Sequence, residues 1–142
     1  MMTSFFFAAM STLGFGILFN IPRKQLLPAS LTGAIGWLVY SGLVESFDSV
    51  VMAAFFGAWV VGMISEWLAR KRKMPATVFV IPGLIPLVPG YGLYYSMLKV
   101  VEADYASATE MGAETILVAL AISSAVIVAS SIGRKFKRKG TR

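Results

Sequence analysis

Residues 50–98 read VVMAAFFGAWVVGMISEWLARKRKMPATVFVIPGLIPLVPGYGLYYSML. Two apolar runs, Val50 to Ala69 and Pro75 to Leu98, flank the basic block Arg70-Lys71-Arg72-Lys73. Each run is about 20 residues long, enough for an α-helix to cross the ~30 Å hydrocarbon core of a bilayer. The basic block sits where anionic headgroups would meet it, and reads as an interfacial anchor.

The same rhythm continues in both directions. Apolar runs cover residues 3–20 and 25–44 before this stretch and 112–133 after it, the last most apolar from Thr115 to Gly133. Arg23 and Lys24 separate the first two runs, and a basic tail from Arg134 to Arg142 follows the fifth. The other gaps hold Glu45 and Asp48, then Lys99, Glu102, Asp104, Glu110 and Glu114. Of the 13 basic residues, all but Lys99 fall on one side of five successive crossings. Cytoplasmic loops carry the lysine and arginine excess, so the N-terminus is expected outside and the C-terminus in the cytoplasm. The fold class expected is all-α: one transmembrane bundle over residues 1–142 with five spans. Met1 to Phe19 lacks lysine and arginine, so it has no positive n-region of a signal peptide and reads as a true span.

Composition agrees. Hydrophobic residues make up 57% of the 142 and charged residues 14%, with a mean hydropathy of +0.74. Soluble domains carry about 25% charged residues. There is no cysteine and no histidine, which removes disulfides, thiol catalysis and zinc fingers. The net charge of +6 is confined to clusters beside apolar runs, so nucleic acid is not an expected partner. No nucleophile elbow, paired core carboxylates or phosphate loop suggests an enzyme, and no cofactor or metal is expected.

The fourth run is unlike the others. Pro82, Pro86 and Pro89 share one face of an ideal helix, and each lacks an N–H and clashes with the carbonyl four residues back. The carbonyls of Val78, Pro82 and Ile85 should be left free, and Ile81, Ile85 and Val88 pushed out of helical dihedrals. Gly83, Gly90 and Gly92 loosen the same stretch. Two short helical pieces around an irregular segment are expected. Unpaired backbone at membrane depth needs protein or water beside it, and broken helices line solute sites in many transporters. The alternative is a kinked helix with a purely structural part. Thr77, Tyr91, Tyr94, Tyr95 and Ser96 supply hydroxyls near the break, although Tyr94 and Tyr95 also suit an interfacial aromatic belt.

Other candidates lie near the cytoplasmic ends. Glu66 continues a stripe of Ala54, Ala58 and Gly62; it is either a coupling carboxylate or the partner of Arg70 one turn on. Arg23 at a helix start could meet an anionic group or act only as a topology determinant; Asn20 could cap that helix. A second stripe, Ala121, Ala125, Ala129 and Gly133, has the spacing that lets helix backbones approach closely in lipid. Ser107 to Glu110 fits a capping box for the last helix.

Two stretches carry a resemblance. One runs from Gly14-Phe15-Gly16 through Asn20-Ile21-Pro22-Arg23 to Gly33-Ala34-Ile35-Gly36-Trp37. The other joins Glu66-Trp67-Leu68-Ala69-Arg70, Pro75-Ala76-Thr77-Val78-Phe79 and the segment Ile81 to Gly90. Together they resemble the threonine/serine exporter family, in particular its small five-span subunit of the split type. The resemblance implies secondary export of small polar metabolites, threonine and serine in some members and succinate in others, from the bacterial inner membrane. It also implies work with a larger membrane subunit, contact with membrane lipids, and assemblies that can extend to higher oligomers. The site residues expected from local physics are Asn20, Arg23, Thr77, Pro82, Gly83, Pro86, Pro89, Gly90 and Tyr91 along the pathway, with Glu66 for coupling.

Overall fold

The computed structural model describes residues 2–47 and 49–139, the side chains of 134–139 excepted. Among the described residues it is all helix, without a strand. The order is α1 (Met2–Leu18), α2 (Arg23–Phe47), α3 (Val50–Arg72), α4 (Thr77–Leu84), a 3-10 turn (Ile85–Leu87), α5 (Gly90–Val101) and α6 (Tyr105–Lys139). Helices α2, α3 and the Tyr105–Gly133 part of α6 are long and apolar enough to cross a membrane. The piece Thr77–Leu87 and α5 qualify together as one broken span bent by 49°. Helix α1 is apolar but has 17 residues, about 25 Å of helix against a ~30 Å core.

The helix ends explain the tight turns. Asn20 adopts the left-handed conformation at φ 56°; its N–H donates to the Ile17 carbonyl and that of Ile21 to Gly16. This is a Schellman ending in which Asn20 closes α1, whereas the sequence suggested a cap for α2. Ala103 ends α5 in the same way at φ 60°, with the Asp104 N–H on the Lys99 carbonyl. The start of α6 also differs from expectation. It begins at Tyr105, and the Asp104 carboxylate accepts from the Ser107 N–H at 3.3 Å. An aspartate three residues before the expected box takes the capping role, its carboxylate reaching the third amide of the helix.

The two small-residue stripes meet. A Cβ on Gly62 would lie 2.5 Å from the Ala129 Cβ, and one on Gly133 would lie 2.6 Å from the Glu66 carboxylate. Ala58 and Ala125 share one core cluster with Val61 and Leu87. Ala54, Ala58, Ala125 and Ala129 are fully buried. Each pair keeps the same offset, so α3 and α6 run parallel with their backbones in close approach. Large side chains would hold them apart, and in lipid this van der Waals contact replaces the hydrophobic drive.

Helix α4 lies in the groove of α2 and α3. Phe79 packs with Ala29 and Leu68, Gly83 sits under Val61 and Thr32, and the Leu87 methyls reach toward Gly36 and Gly57. Because Gly36 is beside the midpoint of α2, the break after Leu87 falls near the middle of the bundle.

The backbone of the break resolves two of the three expected orphans. The Ile85 N–H donates to the Pro82 carbonyl, and the Val88 N–H donates to Ile85 at 3.2 Å. Tightening to i→i+3 bonds recovers acceptors that a regular helix through proline would leave empty. Ile85 also keeps helical dihedrals although proline follows it, while Val88 is extended at φ −59°, ψ 126°. Pro89 then centres an inverse γ-turn at φ −74°, ψ 56°, closed by the Gly90 N–H on Val88 at 2.7 Å.

Candidate solute pathway

Two clefts open along the seam where α1 faces α4. The inner one, about 400 Å³, is lined by Phe19, Ile21, Thr77, Val78, Ile81 and Pro82. The outer one, about 340 Å³, is lined by Ser4, Phe7, Ala8, Ser11, Trp37 and Pro86. The seam thus follows α4 from its first turn to the break, and neither cleft contains an ionisable side chain. Between them the packing is tight. Thr12 is fully buried and so close to Gly33 that a Cβ there would overlap its hydroxyl.

The expected site residues divide accordingly. Thr77 and Pro82 line the inner cleft and Pro86 the outer one. Gly83 is buried under Val61, where a Cβ would meet the methyl at 3.0 Å, so it permits packing rather than lining space. Pro89 and Gly90 form the elbow, with open space around Gly90. Tyr91 is 71% exposed and stacks on Tyr95 with ring centroids 4.2 Å apart, clear of both clefts. Helix α5 has no buried residue and packs on α6, where Gly92 faces Thr115. Asn20 and Arg23 are exposed at the first hairpin; their neighbours Phe19 and Ile21 are the ones that line the inner cleft.

Glu66 lies elsewhere. It lines a separate cleft of about 680 Å³ with Ala69, Arg70, Lys73, Met74, Pro75, Ala76 and Gly133. The Arg70 Nε–H donates to the backbone carbonyl of Glu66 at 3.1 Å, and the ion pairs among the described residues belong to Lys99, with Glu102 and Asp104. The structure therefore does not bring Glu66 together with Thr77 and Pro82. The turn from Met74 to Ala76 separates them.

Sequence reasoning missed Ser4, Ser11 and Trp37. Serine in an apolar run gives little signal, and only the fold shows that Ser4 and Ser11, seven residues apart on α1, share the face toward the break. Two buried polar atoms were also not anticipated: Gln25 Oε1 and Ser65 Oγ have no hydrogen-bond partner among the described residues.

Comparison with known proteins adds the lineage. A family model described as "Threonine/Serine exporter, ThrE" matches residues 4–132. An uncharacterized protein of Haemophilus influenzae is 28% identical over 99 residues, which is 70% of this chain and 33% of that protein. The match thus spans about a third of the length of that curated relative. No solved structure matches.

Proposed function

Because the chain belongs to the threonine/serine exporter family, and so to a family of membrane transporters, we propose that it is one module of a bacterial inner-membrane secondary exporter. In this reading it crosses the bilayer five times with its C-terminus in the cytoplasm, and acts with a larger membrane subunit. The solute is small and polar, of the threonine/serine type or a dicarboxylate such as succinate. The α1–α4 seam is its route through this subunit.

The observation that carries the reading is the break at mid-bundle with two clefts along the α4 seam that leads to it. Backbone left without a partner in hydrocarbon costs several kcal/mol per group, and water or solute in the outer cleft beside Pro86 removes that cost. The parallel pairing of α3 and α6 is consistent with the topology, in which the third and fifth spans cross in the same direction. The H. influenzae relative is longer than the segment it shares, which leaves room there for a further module. Two odd-numbered modules placed in opposite orientations would form the inverted repeat common to secondary transporters.

The test is export. Cells deleted for this chain and for the larger subunit should retain threonine, serine or succinate, and both genes together should restore efflux while either alone should not. Normal efflux from the deletion strain for all three solutes would reject the assignment.

A second reading, a subunit that stabilises a transporting partner without touching solute, draws on the absence of ionisable side chains in either seam cleft. Substitution of Thr77 separates the two. It changes solute preference in the first reading and only the abundance of the complex in the second.

A further inference from the structure

The geometry points to a solute subsite in the outer cleft, built from the Ser11 hydroxyl, Ser4, the Trp37 indole and the backbone turn at Pro86, that holds a small polar solute through uncharged hydrogen bonds. It rests on the seam being the export route and names the part of that route where solute pauses.

Hydroxyls in the long helices mostly fold back onto their own carbonyls. Thr12 donates to Ala8, Thr32 to Pro28, Thr115 to Met111 and Ser123 to Ala119, at 2.7–2.9 Å. Ser30 crosses to the Ala9 carbonyl at 2.7 Å. Ser11 makes no such bond among the described residues, and it lines the cleft with Ser4 and Pro86. A hydroxyl that has its own helix carbonyl within reach and does not take it keeps both donor and acceptor capacity for something else. Ser4 and Ser11 lie about 10 Å apart along α1, so a solute of a few heavy atoms fits against one of them and the turn at Pro86. Trp37, packed at a tilt against Tyr40 with ring centroids 5.1 Å apart, lines the cleft and carries a donor N–H. With no charged side chain in the cleft, the subsite reads a solute's neutral polar groups, and any counter-charge must come from the partner subunit.

The chain has no cysteine, so single-cysteine variants report directly. Ser11→Cys and, independently, Ser4→Cys are expressed in full with the partner subunit, and whole cells are treated with a membrane-impermeant thiol reagent. Met10→Cys, 51% exposed on the outer face of α1 and outside the cleft, is the lipid-facing control. Only the thiolate reacts and it does not form in hydrocarbon, so the cleft variants should label at least about tenfold faster than the control. L-threonine, L-serine or succinate should then slow that labelling. Labelling no faster than the control in both cleft variants would show a lipid-filled cleft and overturn the subsite, even if export assays still implicate the chain. Fast labelling that none of the three solutes slows would show a water pocket and overturn it as a solute site. Loss of export in the deletion strain is scored separately, so the route can stand when the subsite does not.

Discussion

Glu66 rests against Gly133: a Cβ on that glycine would stand 2.6 Å from the Oε2 of the carboxylate and 2.7 Å from its Cδ. The carboxylate therefore lies over the backbone of a parallel neighbour, toward the C-terminal ends of α3 and of the apolar part of α6. Gly133→Ala should push the glutamate side chain out of this contact and lower the thermal midpoint in detergent, by the equivalent of about 1 kcal/mol for a side chain that can swing aside. Glu66→Ala on the same background should recover it, because truncation vacates the space the new methyl needs. Additive losses in the double variant would mean that the two residues do not meet.

Gly62 has no such escape. Its missing Cβ would meet the Ala129 Cβ at 2.5 Å, and neither helix has a flexible side chain there to yield. Gly62→Ile should part α3 from α6 and cost about 1–3 kcal/mol, read as a lower melting point and reduced accumulation in membranes. Gly14→Ala and Gly42→Ala are the contrasting cases. A methyl added at either position meets nothing within 4 Å, so both should be neutral, or raise stability by up to about 1 kcal/mol through helix propensity.

These contacts show what a linear reading can and cannot reach. The four-residue spacing of Ala54, Ala58 and Gly62, and of Ala121 to Gly133, is visible in the chain because packing in lipid selects for it. That one stripe docks on the other is not visible, since nothing local encodes the offset. The break was legible because proline acts on its own backbone. Which carbonyls stay free was not, because 3-10 bonding at Pro82 and Ile85 depends on how the chain tightens when Leu87 is drawn toward Gly36 and Gly57. The outer cleft was the least legible part: it is assembled from Ser4, Ser11, Trp37 and Pro86, which three separate elements contribute.

Ala103 ends α5 in the left-handed region at φ 60°, where a side chain costs about 1–2 kcal/mol. Ala103→Gly should relieve that strain and raise the thermal midpoint, whereas Ala103→Val should lower it. Equal midpoints for all three chains would mean that the turn is not held in this conformation.

The neighbouring cap is pH-sensitive. Hydrogen bonds from Ser107, through its side chain first and then its backbone N–H, hold the Asp104 carboxyl below its usual range. A depressed folded value stabilises above the unfolded pKa, and that contribution is lost as pH falls through the folded one. Protection of the amides at the start of α6, relative to their intrinsic exchange rate at each pH, should therefore fall on acidification below the ordinary aspartate range. In Asp104→Ala that acid-dependent step should vanish.

Pro86 and Pro89 give opposite signs for stability and function. Replacing both by alanine returns two N–H groups and removes two clashes, so a continuous helix from Thr77 to Val101 becomes accessible and the 49° bend can straighten. Each interior proline removed returns up to about 3 kcal/mol, and the thermal midpoint should rise. Straightening also gives the Pro86 position a helical donor and carries α5 off its seat on α6, where Gly92 meets Thr115. The polar edge of the outer cleft disappears with it. Efflux by the co-expressed pair should fall several-fold although the complex is present at normal or higher abundance. A kink with a purely structural part has no reason to separate the two readouts, so a more stable pair with undiminished efflux would take the broken span out of the route.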